Sequence, residues 1–193
     1  MRAFVAVVPP ESVIEHLDDF LAVRREAAAF RWTSTEQVHV TLAFAASVAD
    51  RCYEEWVERL ERAARRRTPF DAAVAGGGAF ASVSRAKVLW AGLELSDAGR
   101  TELDRLATGV RAATAKAGIE VEGGRFRPHI TLARVSHPVE MTNWVRLLDT
   151  YRGPTWTVDA IALVESHLGQ GPRGRPRYEV LEEFRLGRGT GAD

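Results

Sequence analysis

Three features of the sequence predict an α+β fold built from two similar halves. Strand-like and helix-like segments alternate in an order that nearly repeats. One tetrad occurs in each half, as His39-Val40-Thr41-Leu42 and again as His129-Ile130-Thr131-Leu132, both inside apolar runs. Neither a glycine-rich strand-to-helix fingerprint nor a P-loop is present, which argues against a doubly wound parallel sheet. The halves are expected to be lobes related by an approximate two-fold axis, with mostly antiparallel sheets, helices on the outer faces and a central cleft between concave inner faces. A single small domain with one sheet is the rival arrangement. Residues 1–187 are assigned to one bilobal domain with a tetrad in each lobe, and 188–193 to a disordered tail.

The elements follow from periodicity and punctuation. Arg2 to Val8 reads as a strand stopped by Pro9-Pro10, and Ser12 to Ala29 as a helix with Val13, Leu17, Phe20, Leu21 and Ala28 on its apolar stripe. Val38 to Ala45 is the strand of the first tetrad. Ala49 to Arg67 is a helix, amphipathic through Tyr53, Trp56, Val57 and Leu60, and Pro69 closes it. Phe70 to Ala75 and Lys87 to Leu95 read as strands flanking a break at Gly76-Gly77-Gly78, which with the following Phe80 to Arg85 segment is expected to form a mobile groove edge or a plain turn. Ser96 or Asp97 caps a helix that runs to about Ala117 and is ended by Gly118. Arg125 to Val135 carries the second tetrad and contains Pro128, so it is expected at a sheet edge or bulge. A helix over Pro138 to Leu148 follows, then strands over Thr155 to Ser166 and Tyr178 to Leu186, joined by a glycine- and arginine-rich loop.

Within each tetrad, strand alternation points His and Thr to one face and the two aliphatic residues into the core. Two imidazoles and two hydroxyls facing across a cleft supply an acid, a base and two donors to one phosphate. In-line cleavage of a phosphodiester needs that set. A single histidine in an apolar strand is commonly a core residue, but coincidence at both tetrads is improbable. His16, His137 and His167 have no such context and are assigned surface or capping roles.

Composition narrows the partners. The 193 residues carry 26 basic and 26 acidic side chains, unlike a polycation that coats nucleic acid, so an RNA or nucleotide must be held locally. Cys52, the only cysteine, excludes an intrachain disulfide. No apolar run approaches membrane-spanning length and no cleavable leader is evident, so a cytoplasmic location without membrane association is expected. No heptad pattern demands a partner, which makes a monomer the default.

The tetrads and their surroundings resemble the two-histidine (2H) phosphoesterases, and among them the bacterial and archaeal RNA 2′,3′-cyclic phosphodiesterases, also called 2′-5′ RNA ligases. The resemblance rests on Arg2-Ala3-Phe4-Val5-Ala6, Arg31-Trp32, His39-Val40-Thr41-Leu42-Ala43-Phe44, Lys87-Val88-Leu89-Trp90-Ala91-Gly92, Phe126-Arg127-Pro128-His129-Ile130-Thr131-Leu132-Ala133-Arg134 and Leu163-Val164-Glu165-Ser166. Ala45-Ala46-Ser47-Val48 departs from the Leu-Gly-Glu-Val type usual there, which bears on substrate preference. The resemblance implies a bilobal fold, no metal or other cofactor, and opening of a ribose 2′,3′-cyclic phosphate to a 2′-phosphate. Spacing alone leaves open which histidine is the acid. The resemblance assigns His39 as proton donor to the leaving 3′ oxygen and His129 as proton acceptor from water, with Thr41 and Thr131 binding phosphate.

Arg134 matches an arginine of the family pattern and is expected to clamp phosphate, while Phe44 at the equivalent offset from His39 is expected either to stack on a base or to lie in the core. Strict alternation puts both on the face opposite their histidine, so their assignment requires the strand to twist or end after the tetrad. Arg127 has the right parity and is an alternative phosphate contact. Tyr178, beyond Arg173, Arg175 and Arg177, is a candidate RNA contact. Other readings remain: a non-catalytic RNA- or nucleotide-binding module, distinguished by binding without product; a phosphodiesterase for another cyclic nucleotide ester; and a metal-dependent hydrolase, distinguished by inhibition in chelator.

Overall fold

The computed structural model describes residues 1–188, so the expected tail lies, beyond Arg188, outside the described residues. Nine strands form one sheet: β1 (Ala3–Val7), β2 (Arg31–Trp32), β3 (Val40–Ala45), β4 (Phe70–Phe80), β5 (Ala86–Glu94), β6 (Ile130–Val139), β7 (Trp156–Val158), β8 (Ala160–His167) and β9 (Arg177–Arg185). Among the described residues four α-helices accompany them, α1 (Glu11–Ala22), α2 (Tyr53–Arg65), α3 (Asp97–Lys116) and α4 (Thr142–Leu148). The strand order is β7-β4-β5-β6-β3-β1-β8-β9, with β2 also against β6, and every pairing is antiparallel.

The two halves therefore share a sheet. Each contributes four strands to the main order, and they meet where β3 and β6 pair through Val40 and Ile130, the second residues of the two tetrads. Only Asp159 separates β7 from β8, so the sheet curls until its β7 edge approaches β8 without a ladder closing it. One face carries the main core, in which Ala3, Val5, Val7, Val40, Leu42, Ile130 and Leu132 pack under helix residues such as Leu17, Trp56, Leu106 and Leu148. The buried Trp56 indole donates to Thr114 Oγ1 at 2.9 Å, and that hydroxyl donates to the Val110 carbonyl at 2.8 Å, locking α2 against α3 with no buried polar atom of the pair left unbonded. The concave face holds a smaller apolar group, Phe4, Ala6, Ala162 and Val164, of which Phe4 lines the cleft.

Several elements differ from their expected limits. The first helix ends at Ala22, the next residue, Val23, is exposed, and a short 3-10 turn follows over Arg25–Ala27. The second tetrad's strand begins only at Ile130, leaving Pro128 outside the ladder, so β6 is central and not the edge strand that a proline would require. Beyond it, β6 continues through Pro138 to Val139, opposite Ala86, and the helix starts later, where the Glu140 carboxylate accepts from the Thr142 N–H at 2.8 Å.

The triple glycine does not break the chain. It lies inside β4, and each member answers a different constraint. Gly76 sits at φ +66 in a bulge where pairing jumps from Val74 opposite Leu93 to Gly77 opposite Ala91. Gly77 packs beneath Leu148 of α4. Gly78 stands opposite Trp90, whose indole lies across it so closely that a Cβ there would be 2.3 Å from Trp90 Cζ2.

Candidate active site

With Val40 paired to Ile130, the antiparallel register sets His39 beside Thr131 and Thr41 beside His129. The imidazoles are then diagonal neighbours on one face, a relation that separates side-chain origins by about 7–8 Å and leaves room for a phosphate between rings. Both histidines and both threonines line a single cleft of about 520 Å³, together with Arg2, Phe4, Phe44, Arg134 and Tyr178.

Bulges bring Phe44 and Arg134 into it. Pairing of β1 with β3 shifts between Val5 opposite Ala43 and Ala6 opposite Thr41, so Leu42 and Ala43 both turn inward and are 2% and 3% exposed. In the other half, pairing of β5 with β6 shifts between Leu89 opposite Ala133 and Trp90 opposite Thr131, and Leu132 and Ala133 are buried likewise. Each extra residue reverses parity once, so a side chain five positions after its histidine returns to the histidine's face. The two halves use the same device at the same offset.

Each ring is oriented by its own backbone. His39 Nδ1 lies 2.7 Å from the Gln37 carbonyl and His129 Nδ1 2.7 Å from the Arg127 carbonyl, so both neutral rings carry the proton on Nδ1 and present Nε2 to the cleft. His39 Nε2 lies 3.0 Å from Thr41 Oγ1, from which the neutral ring accepts. Arg127 thus contributes through its carbonyl; its exposed side chain is not part of the cleft wall.

The model of the 2′-5′ RNA ligase superfamily matches residues 9–170. The chain belongs to the 2′-5′ RNA ligase superfamily. An RNA 2′,3′-cyclic phosphodiesterase of Aquifex aeolicus is 31% identical over 97% of this chain and 98% of its own. Among solved structures, TT0787 of Thermus thermophilus superposes with a TM-score of 0.77 at 31% identity, covering 96% of this chain and 98% of that one. Apo LigT of Escherichia coli gives 0.75 at 26% identity, covering 97% and 98%. These matches fit the α+β architecture and the family resemblance of the tetrads.

In this member of the superfamily, the walls around the two rings are aromatic. Phe4 stacks on His39 with centroids 4.6 Å apart, and Tyr178 meets that ring edge-on at 5.6 Å. On the other side, Phe80 meets His129 edge-on at 4.9 Å and Trp90 lies at 6.0 Å. Phe4 and Trp90 are not among the expected site residues, and Phe80 belongs to a segment expected only as a groove edge. Parity along β1, which puts Phe4 on the face of Arg2 and Ala6, was the available signal for the first; the other two were hidden by the assumed break at the glycines. Arg2 places its guanidinium 4.2 Å over the Phe44 ring, so one face of that ring is already covered and a base has only the other. His167 stays apart from the cleft, paired with Glu179 at 3.1 Å and Glu165 at 3.6 Å.

Gly78 therefore controls the wall behind His129. Gly78→Ala is expected to destabilise the protein by about 1–3 kcal/mol, as overpacking does, and to lower turnover by tilting Trp90 against His129. Thermal unfolding and steady-state rates check both; an unchanged Tm together with unchanged rates would contradict this role.

Burial depresses both imidazoles. His39 falls from 6.5 to about 4, chiefly by desolvation, partly offset by its bond to the Gln37 carbonyl and reinforced by the charges of His129 and Arg134. His129 is lowered by burial too, against its bond to the Arg127 carbonyl and with Arg134 adding to the shift. Near neutrality both rings are therefore neutral until a phosphate anion binds. A cycle needing one proton on the pair is best populated between the two pKa values. Both lie below 6.5, so kcat/KM is expected to peak on the acidic side of that value and to fall as pH rises, because the proton is lost from the pair. A bound phosphate anion favours imidazolium, so kcat is expected to peak at higher pH. Parallel pH profiles test this, and a kcat/KM optimum above neutrality would contradict it.

Proposed function

We propose that this chain hydrolyses 2′,3′-cyclic phosphates on RNA ends or nucleotides to 2′-phosphates without a metal. The observation that carries the reading is the convergence of both tetrads and Arg134 on one cleft. Water attacks phosphorus as His129 Nε2 takes its proton; the bond from phosphorus to the 3′ oxygen breaks, and that oxygen takes a proton from His39 Nε2. Protonation of His39 Nε2 also frees the Thr41 hydroxyl from donating to the ring, so it can donate to a non-bridging oxygen together with Thr131 and Arg134. This coupling supports His39 as the acid.

The terminal base stacks on the uncovered face of Phe44, and Tyr178 bounds the ribose side of His39. Arg127 fixes the His129 tautomer. A 5′-hydroxyl in place of water would give a 2′-5′ linkage, so ligation is the minor outcome in water. No helix among the described residues is long and apolar enough to cross a membrane; we place the protein in the cytoplasm as a monomer.

The test is incubation with an oligonucleotide ending in a 2′,3′-cyclic phosphate, in excess chelator, with 2′- and 3′-phosphate products resolved. The expected product is the 2′-phosphate at undiminished rate. A 3′-phosphate, or loss of activity in chelator, would contradict the mechanism, and tight binding without product would favour the binding-module alternative.

A further inference from the structure

A second pocket opens beside the catalytic cleft and shares Trp32, Thr33 and Arg175 with it. Its volume of about 340 Å³ falls within the ~300–1,000 Å³ of small-molecule sites. No tetrad residue lines it, so proton transfer gives it no purpose. Its wall combines the rings of Phe30 and Trp32, 5.6 Å apart, with the guanidinium groups of Arg173 and Arg175. Asp18 also lines it, but that carboxylate is held by Arg25 at 2.6 Å. Among the described residues, neither Arg173 nor Arg175 is within ion-pair distance of a carboxylate, whereas the neighbouring Arg177 pairs with Glu179 at 3.2 Å.

The loop bearing these arginines is held in place at some cost. Arg173 occupies the left-handed region at φ 56 and ψ 32, which a residue with a side chain seldom adopts unless its surroundings impose it. The Gly171 N–H donates to the Arg175 carbonyl at 2.7 Å, and Gln37 Nε2 donates to the Pro176 carbonyl at 2.8 Å. Gln37 is the residue whose own carbonyl orients His39, so the loop and the catalytic ring are fixed to one short segment.

Aromatic faces beside unpaired guanidinium groups match a nucleotide, with base on ring and phosphate on fork. An RNA end with a cyclic phosphate in the cleft must leave it through the 5′ phosphate of its last nucleotide. We infer that the side pocket receives the penultimate nucleotide, with the phosphate that links it to the last nucleotide on Arg173 and Arg175 and its base against Phe30 and Trp32. This rests on the cyclic phosphodiesterase reading above and adds a substrate class: RNA ends of two or more nucleotides, in preference to cyclic mononucleotides.

The test compares kcat/KM for a dinucleotide ending in a 2′,3′-cyclic phosphate with that for the matching cyclic mononucleotide, in wild type, Arg173→Ala and Phe30→Leu. Neither substituted residue lines the catalytic cleft. Wild type is expected to favour the dinucleotide by at least about tenfold, the scale of one stacked base, and each variant to bring that ratio down severalfold toward unity. Turnover of both substrates with equal efficiency, or a ratio untouched by both variants, would overturn the inference while leaving the cleft chemistry standing. Failure of wild type to turn over either substrate would overturn the underlying reading and this inference with it.

Discussion

Replacing His39 or His129 by alanine is expected to abolish measurable turnover while leaving the fold intact. A single positioned proton transfer contributes roughly 10²–10⁴-fold, and here each ring has one task that no neighbouring group can take over. Tyr178, which meets the His39 ring edge-on, has its pKa raised by burial, so it is a poor acid substitute. The two losses should not multiply, because a cleft without its base gains little from an intact acid. His137, exposed on β6 away from the cleft, is the control, and His137→Ala should keep the wild-type rate. Steady-state rates with circular dichroism as the fold check measure this. A loss smaller than about tenfold in either cleft variant would contradict two-imidazole catalysis.

Arg134→Gln is expected to cost about 10²–10³-fold in kcat, the loss seen when one preorganised donor to a developing anion is removed. Arg134→Lys should recover only part of it, since an ammonium keeps the charge but not the planar fork that holds two phosphate oxygens. The same variant has a signature in pH. Because the Arg134 charge helps lower both imidazoles, Arg134→Gln should move the kcat/KM optimum to higher pH, and Arg134→Lys should not. Unaltered kcat, or an optimum displaced to lower pH, would contradict the placement of this guanidinium beside both rings.

The tetrads were readable because a two-residue spacing on a strand has one geometric consequence: His39 and Thr41, or His129 and Thr131, share a face. Phe44 and Arg134 were not placed by the same rule, because their position depends on bulges whose only trace is a pair of adjacent inward residues, Leu42-Ala43 and Leu132-Ala133. Apolar residues at those points are as compatible with regular strand as with a bulge, and only the partner strand's register decides. Gly76 to Gly78 read as a break because local conformational preference was the only signal available; pairing of Gly77 and Gly78 with Ala91 and Trp90 of β5 makes strand of them. Helix limits failed for a related reason. Ser12 to Ala29 keeps its apolar spacing past Ala22, but the helix stops there and Val23 is exposed. Sharing of one sheet by both lobes turned on a single residue pair, Val40 with Ile130, inside the motifs themselves.

A crystal structure with vanadate and a bound nucleoside would test most directly whether both imidazoles serve one phosphorus atom. The expected arrangement has His39 Nε2 and His129 Nε2 each about 2.6–3.2 Å from a different apical oxygen, on opposite sides of the vanadium, with Thr41, Thr131 and Arg134 on equatorial oxygens. A vanadate reached by one imidazole only, or by both at the same oxygen, would contradict the account.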